Sequence, residues 1–272
     1  MSRRPCLTIA LLALLSLSAS RRVLSQGNLS TSQEQASTEL SKLKEQAENG
    51  DAIAEFTLGY LYQQGKGVPR DYRQAVEFYR AAAVKGHATA ENNLASMYLH
   101  GRGVAKSLRE AINWYRASAE HGDPAGQCNL ASMYFSGRGV PQDYRLAARW
   151  LRAAAEKGLP AAQNNLALMY YSGKGVSQNY SEAAQWTRWS AEQGYALAET
   201  DLGYLYEQGK GVPLDYTTAY MWYTIAARGG DSRSPERMKG LSRLMVGKQL
   251  TEAEIRANAW TPPAKTRNVD RQ

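Results

Sequence analysis

Apolar residues return along residues 51–230 in two interleaved rhythms. In the first, Ala54, Leu58, Leu61 and Tyr62 fall three and four apart, which puts them on one face of a helix. The set reappears at Leu94, Met97 and Tyr98, at Leu130, Met133 and Tyr134, at Leu166, Met169 and Tyr170, and at Leu202, Leu205 and Tyr206. A small residue follows each leucine (Gly59, Ala95, Ala131, Ala167 or Gly203), where another helix must approach closely. The second rhythm joins Ala75, Phe78 and Ala82-Ala83, and continues through Ala111 and Trp114, Ala147 and Trp150, Ala183 and Trp186, and Ala219 and Trp222. Its large aromatic is expected to fill the space that the small residues leave open.

Glycine separates the two rhythms. A Gly-x-Gly-Val turn such as Gly65-Lys66-Gly67-Val68 stops the first helix, because glycine tolerates the left-handed backbone that a helix end needs. Asp71, Ser107, Asp143, Asn179 and Asp215 then stand where an N-cap of the second helix belongs. Gly50, Gly86, Gly122, Gly158, Gly194 and Gly230, each 36 residues from the last, close the second helices. The chain therefore reads as five helix–turn–helix units, 51–86, 87–122, 123–158, 159–194 and 195–230. A fixed period in this range marks a stacked array, since neither helix of a unit can bury its apolar face alone.

The pattern Ala-x-x-x-Leu-Gly/Ala-x-x-Tyr-x-x-Gly-x-Gly-Val, followed by Asp-x-x-x-Ala-x-x-Trp-Tyr-x-x-Ala-Ala-x-x-Gly, resembles the Sel-one-like repeat (SLR) family, itself similar to tetratricopeptide solenoids. Phe78 replaces the usual tryptophan, Leu151 and Thr187 replace a tyrosine, and Ser107-Leu108 replace Asp-Tyr. The resemblance implies an all-α, right-handed superhelical α-solenoid whose first helices line a concave face, and a scaffold or adaptor that works by protein–protein interaction. Some cysteine-rich members of the family are described as β-lactamases, but they carry paired cysteines in each unit and this chain does not.

The ends read differently. Arg3 and Arg4 precede an apolar run from Cys6 to Ala19, the order of a secretory signal. Cleavage after Ser25 (Ser20 is the alternative) would give a signal peptide over 1–25 and a periplasmic or secreted protein with no integral membrane segment. Residues 26–50 read as a linker and capping helix, with Leu40, Leu43 and Ala47 apolar. Residues 231–260 read as C-terminal capping helices, the last opened by a capping box at Thr251-Glu252-Ala253-Glu254. Residues 261–272 read as a disordered tail.

Processing changes the charge picture. Half of the net charge of +8 comes from Arg3, Arg4, Arg21 and Arg22, and the tail adds Lys265, Arg267 and Arg271 against Asp270. The array is close to balanced, which argues against nucleic acid as the partner. Removal of residues 1–25 would take Cys6 away and leave Cys128, at a first-helix position where a half-exposed side chain is expected.

Candidate chemistry is sparse. His87, His100 and His121 fall in no metal-binding spacing and read as histidines at helix ends, so neither a metal nor a cofactor is expected. Ser41-Lys42-Leu43-Lys44 fits Ser-x-x-Lys without its partner motifs. A β-lactamase-type hydrolase and an envelope assembly subunit that binds cell-wall material stand as alternatives, yet the chain reads as a monomeric, non-enzymatic scaffold for a protein or peptide. Its candidate partner-binding residues are Tyr60, Asn92, Asn93, Asn129, Phe135, Asn164, Asn165, Tyr171 and Tyr204. Asparagine amides suit an extended peptide backbone, and aromatics beside them supply apolar area. The asparagines have a second reading, as bonds that hold neighbouring repeats together. The basic residues inside the glycine turns, Lys66, Arg102, Arg138, Lys174 and Lys210, read as a solvated edge.

Overall fold

The computed structural model describes residues 26–261, with side chains of the first helix described from residue 37 onward. The signal segment 1–25 and residues 262–272 of the tail lie outside the described residues. Among those described, the chain forms thirteen α-helices and no strand. The first helices of the five units are α2 (Ala52–Gln64), α4 (Ala88–His100), α6 (Pro124–Ser136), α8 (Pro160–Ser172) and α10 (Ala196–Gln208). The second helices are α3 (Tyr72–Val84), α5 (Leu108–Glu120), α7 (Tyr144–Glu156), α9 (Tyr180–Ala191) and α11 (Tyr216–Arg228). Helix α1 (Gln26–Glu48) precedes them, and α12 (Ser234–Ser242) and α13 (Gly247–Ala259) follow.

The boundaries have local causes. Asp71 Oδ1 accepts from the amides of Arg73 at 2.8 Å and Gln74 at 3.1 Å, and Asp143 and Asn179 repeat the arrangement on α7 and α9. Each such cap contributes about 1 kcal/mol by satisfying amides that the helix cannot. Gly65, Gly101, Gly173 and Gly209 end their helices in the left-handed region, with φ between 60° and 69°. At the C-terminal end, α13 starts at Gly247, where Gln249 Oε1 accepts from the Val246 amide at 3.0 Å. The capping box expected at Thr251 is therefore corrected: Thr251 sits inside the helix and donates to the Gly247 carbonyl at 3.1 Å.

The chain divides into two compact units, one ending at Leu130 and the other beginning at Ala131. In the first, α1 packs on α2, α2 on α3, α3 on α4 and α4 on α5. In the second, α7 packs on α8, α8 on α9, α9 on α10, α10 on α11, and α11 on both α12 and α13. Within each unit these helices bury their apolar faces against their neighbours, which is the construction of an α-solenoid of helix–turn–helix repeats. Leu58, Leu94, Leu130, Leu166 and Leu202 are wholly buried. Leu40 and Leu43 of α1 close the N-terminal end over Ala54 and Leu58.

Two expectations shift by a register. The aromatic that fills the space beside the small residue is the position after Phe78: a Cβ on Gly59 would lie 2.7 Å from the Tyr79 ring, and one on Gly203 would lie 2.8 Å from Tyr223. Tyr79, Tyr115, Leu151, Thr187 and Tyr223 are all buried, whereas Phe78, Trp114 and Trp150 are partly exposed. Cys128 is 1% exposed rather than half-exposed, because its position on α6 turns into the stack.

At Tyr98, Tyr170 and Tyr206 the tyrosine that ends the apolar face also has a polar role. An arginine of the preceding second helix, 18 residues earlier, donates to its hydroxyl: Arg80 to Tyr98 at 2.9 Å, Arg188 to Tyr206 at 2.8 Å, and Arg152 to Tyr170.

Candidate functional site

The nine residues that the sequence assigns to a partner separate by burial. Asn92, Asn129 and Asn164 are 1%, 6% and 3% exposed. Asn129 Nδ2 donates to Asn92 Oδ1 at 2.8 Å, and Asn164 Nδ2 donates to Asp201 Oδ2 at 3.1 Å. Both bonds span 37 residues, from one repeat to the next. The assignment of these three to a partner is corrected: they stand in two adjacent first-helix columns that meet between neighbouring repeats, so the amides hold repeats together. Asn93 and Asn165 are half-buried and both are engaged, Asn93 receiving Asn92 Nδ2 at 3.4 Å. Asn129→Ala strips the donor from a buried carbonyl, so it is expected to lower the unfolding free energy by about 1–3 kcal/mol. Urea denaturation checks this, and unchanged stability would return the amide to a partner-facing role.

The aromatic candidates are the half-buried ones, and they meet the basic turn residues. In the second unit, Phe135 stands edge-on to Tyr144 with ring centres 4.8 Å apart. Lys174, from the glycine turn of the next repeat, lies 5.7 Å from the Phe135 ring centre and 5.5 Å from that of Tyr144. One repeat on, Tyr171 packs against Tyr180 at 5.2 Å and Tyr204 at 6.3 Å. Lys210 donates to the Tyr171 hydroxyl at 2.6 Å and lies 5.3 Å from the Tyr180 ring centre. Arg237 of α12 closes the series 5.0 Å from the Tyr204 ring centre. In the first unit, Lys66 lies 5.5 Å from the ring of Tyr60 in its own repeat. The turn lysines are thus seated on aromatic faces, an attraction worth about 0.5–1 kcal/mol each at exposed sites.

This seating has an electrostatic consequence. Partial burial pushes the Tyr171 hydroxyl up, but the Lys210 and Tyr204 hydrogen bonds and the Lys210 charge together hold it below the usual tyrosine value. The Tyr171 hydrogen bond holds Lys210 above the usual lysine value, so its ammonium stays charged. The surface offers flat apolar faces bordered by fixed positive charge.

Other candidates acquire ordinary structural roles. Ser41 Oγ donates to the Ser37 carbonyl at 2.9 Å within α1. His87 Nδ1 accepts from the Ala90 amide at 3.2 Å and its ring stacks on Phe56 at 4.6 Å. His121 meets Glu91 at 2.9 Å, and His100 Nδ1 lies 2.9 Å from the Ser96 carbonyl. Among the described residues, no group of three histidine, cysteine or carboxylate side chains could hold a metal ion. No described helix is long and apolar enough to cross a membrane.

One column escapes the sequence reading. Glu55, Glu91, Gln127, Gln163 and Glu199 are buried at equivalent first-helix positions. Lys85 Nζ reaches Glu55 at 2.6 Å, and Gln193 Nε2 donates to Gln163 Oε1 at 2.8 Å. The period of 36 was the available signal, with a polar residue persisting inside an otherwise apolar helix.

With this geometry in hand, comparison with known proteins is decisive for the family. The Sel1 repeat family matches five consecutive segments, 52–87, 88–123, 124–159, 160–195 and 196–231. The chain belongs to the Sel1 repeat family. Its repeats are similar to those of a protective antigen present in uropathogenic Escherichia coli strains, whose crystal structure displays an SLR fold. That match has 38% identity and a TM-score of 0.71, and covers 78% of this chain and 46% of that one, so this Sel1 repeat chain spans about half the antigen's length. A Sel1 repeat protein from Oxalobacter formigenes is similar at 31% identity and a TM-score of 0.69, over 79% of this chain and 96% of that one. Among curated proteins, none matches.

Proposed function

We propose that this Sel1 repeat protein is an exported, monomeric scaffold that holds a protein or peptide partner on the face formed by its first helices. The observation that carries this reading is the aromatic and basic series of the second unit: Phe135, Tyr144 and Lys174, then Tyr171, Tyr180, Lys210 and Tyr204 with Arg237. Half-buried aromatics on a rigid scaffold give contact area at low entropic cost, and clustered aromatics with arginine are the usual composition of binding hot spots. The charges favour a partner segment that carries carboxylates beside apolar side chains. Export rests on the Arg3-Arg4 pair and the apolar run from Cys6 to Ala19.

The buried asparagines give this face order without giving it specificity. Tyr60, Asn93 and Asn165 remain partner-facing candidates, secondary to Phe135, Tyr171 and Tyr204. Replacing Phe135 and Tyr204 together by alanine is expected to weaken capture of the partner from envelope extract by more than about tenfold, the equivalent of 1.4 kcal/mol. Melting should change little, since both rings are partly exposed. Full retention of capture by the double variant would move the binding surface elsewhere.

A further inference from the structure

The last repeat departs from the others at one pairing. In the first, Lys85 Nζ donates to Glu55 Oε1 at 2.6 Å and to the Gly50 carbonyl at 2.8 Å, closing over a buried carboxylate. In the second, His121 takes the same place over Glu91 at 2.9 Å. In the fifth, the buried carboxylate is Glu199, 3% exposed, and the position thirty residues later is Gly229. Gly229 is exposed, and a Cβ built on it would lie 3.7 Å from Glu199 Oε2, so the carboxylate points at the place where a covering side chain would begin.

Nothing among the described residues compensates. Among the described residues, no hydrogen bond or ion pair reaches the Glu199 carboxylate, and the charge it feels most is the like-signed Asp231. The nearest cation on that loop, Arg233, is bound to Asp231 at 3.0 Å. Burial, with Asp231 second, pushes Glu199 up to about 7. A buried carboxylate without a donor is costly, and three N–H bonds on a compact charge are what an ammonium supplies.

We propose that Glu199, with the carbonyl of Gly194 at the position equivalent to Gly50, receives a primary alkylammonium, delivered as a lysine side chain of the bound partner or as a free amine. It rests on the scaffold reading only for the lysine source. The ligand takes the place that Lys85 fills in the first repeat. Glu199 Oε2 accepts one N–H, and the Gly229 backbone leaves the entry open.

The test is a titration of the full chain, labelled with ¹³C at glutamate carboxyls, with n-butylammonium chloride above neutral pH, where Glu199 is ionised. Tetramethylammonium chloride, which carries the charge without an N–H donor, is the control. Glu199→Gln identifies the resonance. The expected result is a saturable shift of that resonance with n-butylammonium and none with tetramethylammonium. Gly229→Lys should cover the carboxylate from within and weaken n-butylammonium binding by at least about tenfold. Gly229 has φ −75°, so the backbone accepts the side chain. No shift, equal shifts with the two cations, or a Gly229→Lys titration like that of the unaltered chain would each overturn the proposal. Nα-acetyl-lysine amide binding more tightly than n-butylammonium identifies a lysine as the source; the reverse order identifies a free amine. If the amine titration is blank while the Phe135 and Tyr204 face still captures a partner, the ammonium site falls and the scaffold stands. If the amine binds and no partner is captured, the scaffold falls instead.

Discussion

Gly175→Ala is expected to destabilise the protein by about 3–5 kcal/mol, whereas Gly67→Ala, at the equivalent position of the first repeat, should cost about 1–2 kcal/mol. The two glycines have nearly the same backbone, with φ of 73° and 72°. Either alanine therefore carries the same left-handed strain. What differs is the neighbour. A Cβ on Gly175 would overlap the carbonyl of Tyr144, the first residue of the preceding second helix, while a Cβ on Gly67 meets nothing within 4 Å. Gly103 against Tyr72 and Gly211 against Tyr180 repeat the close approach. A main-chain carbonyl cannot swing aside as a side chain can, so relief requires moving one repeat away from the next. Denaturant unfolding of the two variants isolates this contact from the strain, and equal losses would show that the glycine turn does not clamp neighbouring repeats.

Glu199→Gln is expected to stabilise the protein by about 1–3 kcal/mol above pH 7 and by little below pH 4.5. Glu199 is buried, and its proton is held up to about 7 against an ordinary 4.5, first by burial and second by Asp231. Below 4.5 the folded and unfolded chains both hold the proton, so the group costs nothing extra. Between 4.5 and 7 the folded chain keeps the proton that the unfolded chain has released, and stability falls as pH rises. Above 7 the full cost of the buried charge is present. Glutamine keeps the shape without the charge, and Gln127 and Gln163 already occupy this column in other repeats. Urea midpoints of both proteins near pH 4.5 and pH 8 decide the matter. A stability difference that is the same at both pH values would mean that Glu199 titrates as an ordinary surface carboxylate.

Much of the architecture is legible in the chain because each feature has a local cause. Gly65 and Asp71 mark a helix end and a helix start through their own backbone and side-chain chemistry, and the constant interval between such marks defines the repeat. What depends on how one helix meets another is less legible. Phe78 and Tyr79 are adjacent, and only the facing helix decides that Tyr79 meets Gly59. Asn92 stands in a column that varies between repeats as a specificity residue would (Phe56, Asn92, Cys128, Asn164, Thr200), yet its amide oxygen is taken by Asn129 because that helix face turns toward the neighbouring repeat. Lys210 reads as a solvated turn charge, but its partners Tyr171 and Tyr180 lie in the preceding repeat, beyond any local period. Glu199 gives no signal of its own until Lys85 shows what its column normally pairs with.

The most direct test of a partner-binding first-helix face places a photo-crosslinking residue at single sites in the native host. Phe135 and Tyr171 represent the first-helix face, and the exposed Glu77 and Arg149 represent the second helices. Phe135 and Tyr171 are expected to give the same discrete crosslinked protein, and Glu77 and Arg149 are expected not to. Crosslinks confined to Glu77 and Arg149, or none from Phe135 and Tyr171, would contradict that assignment.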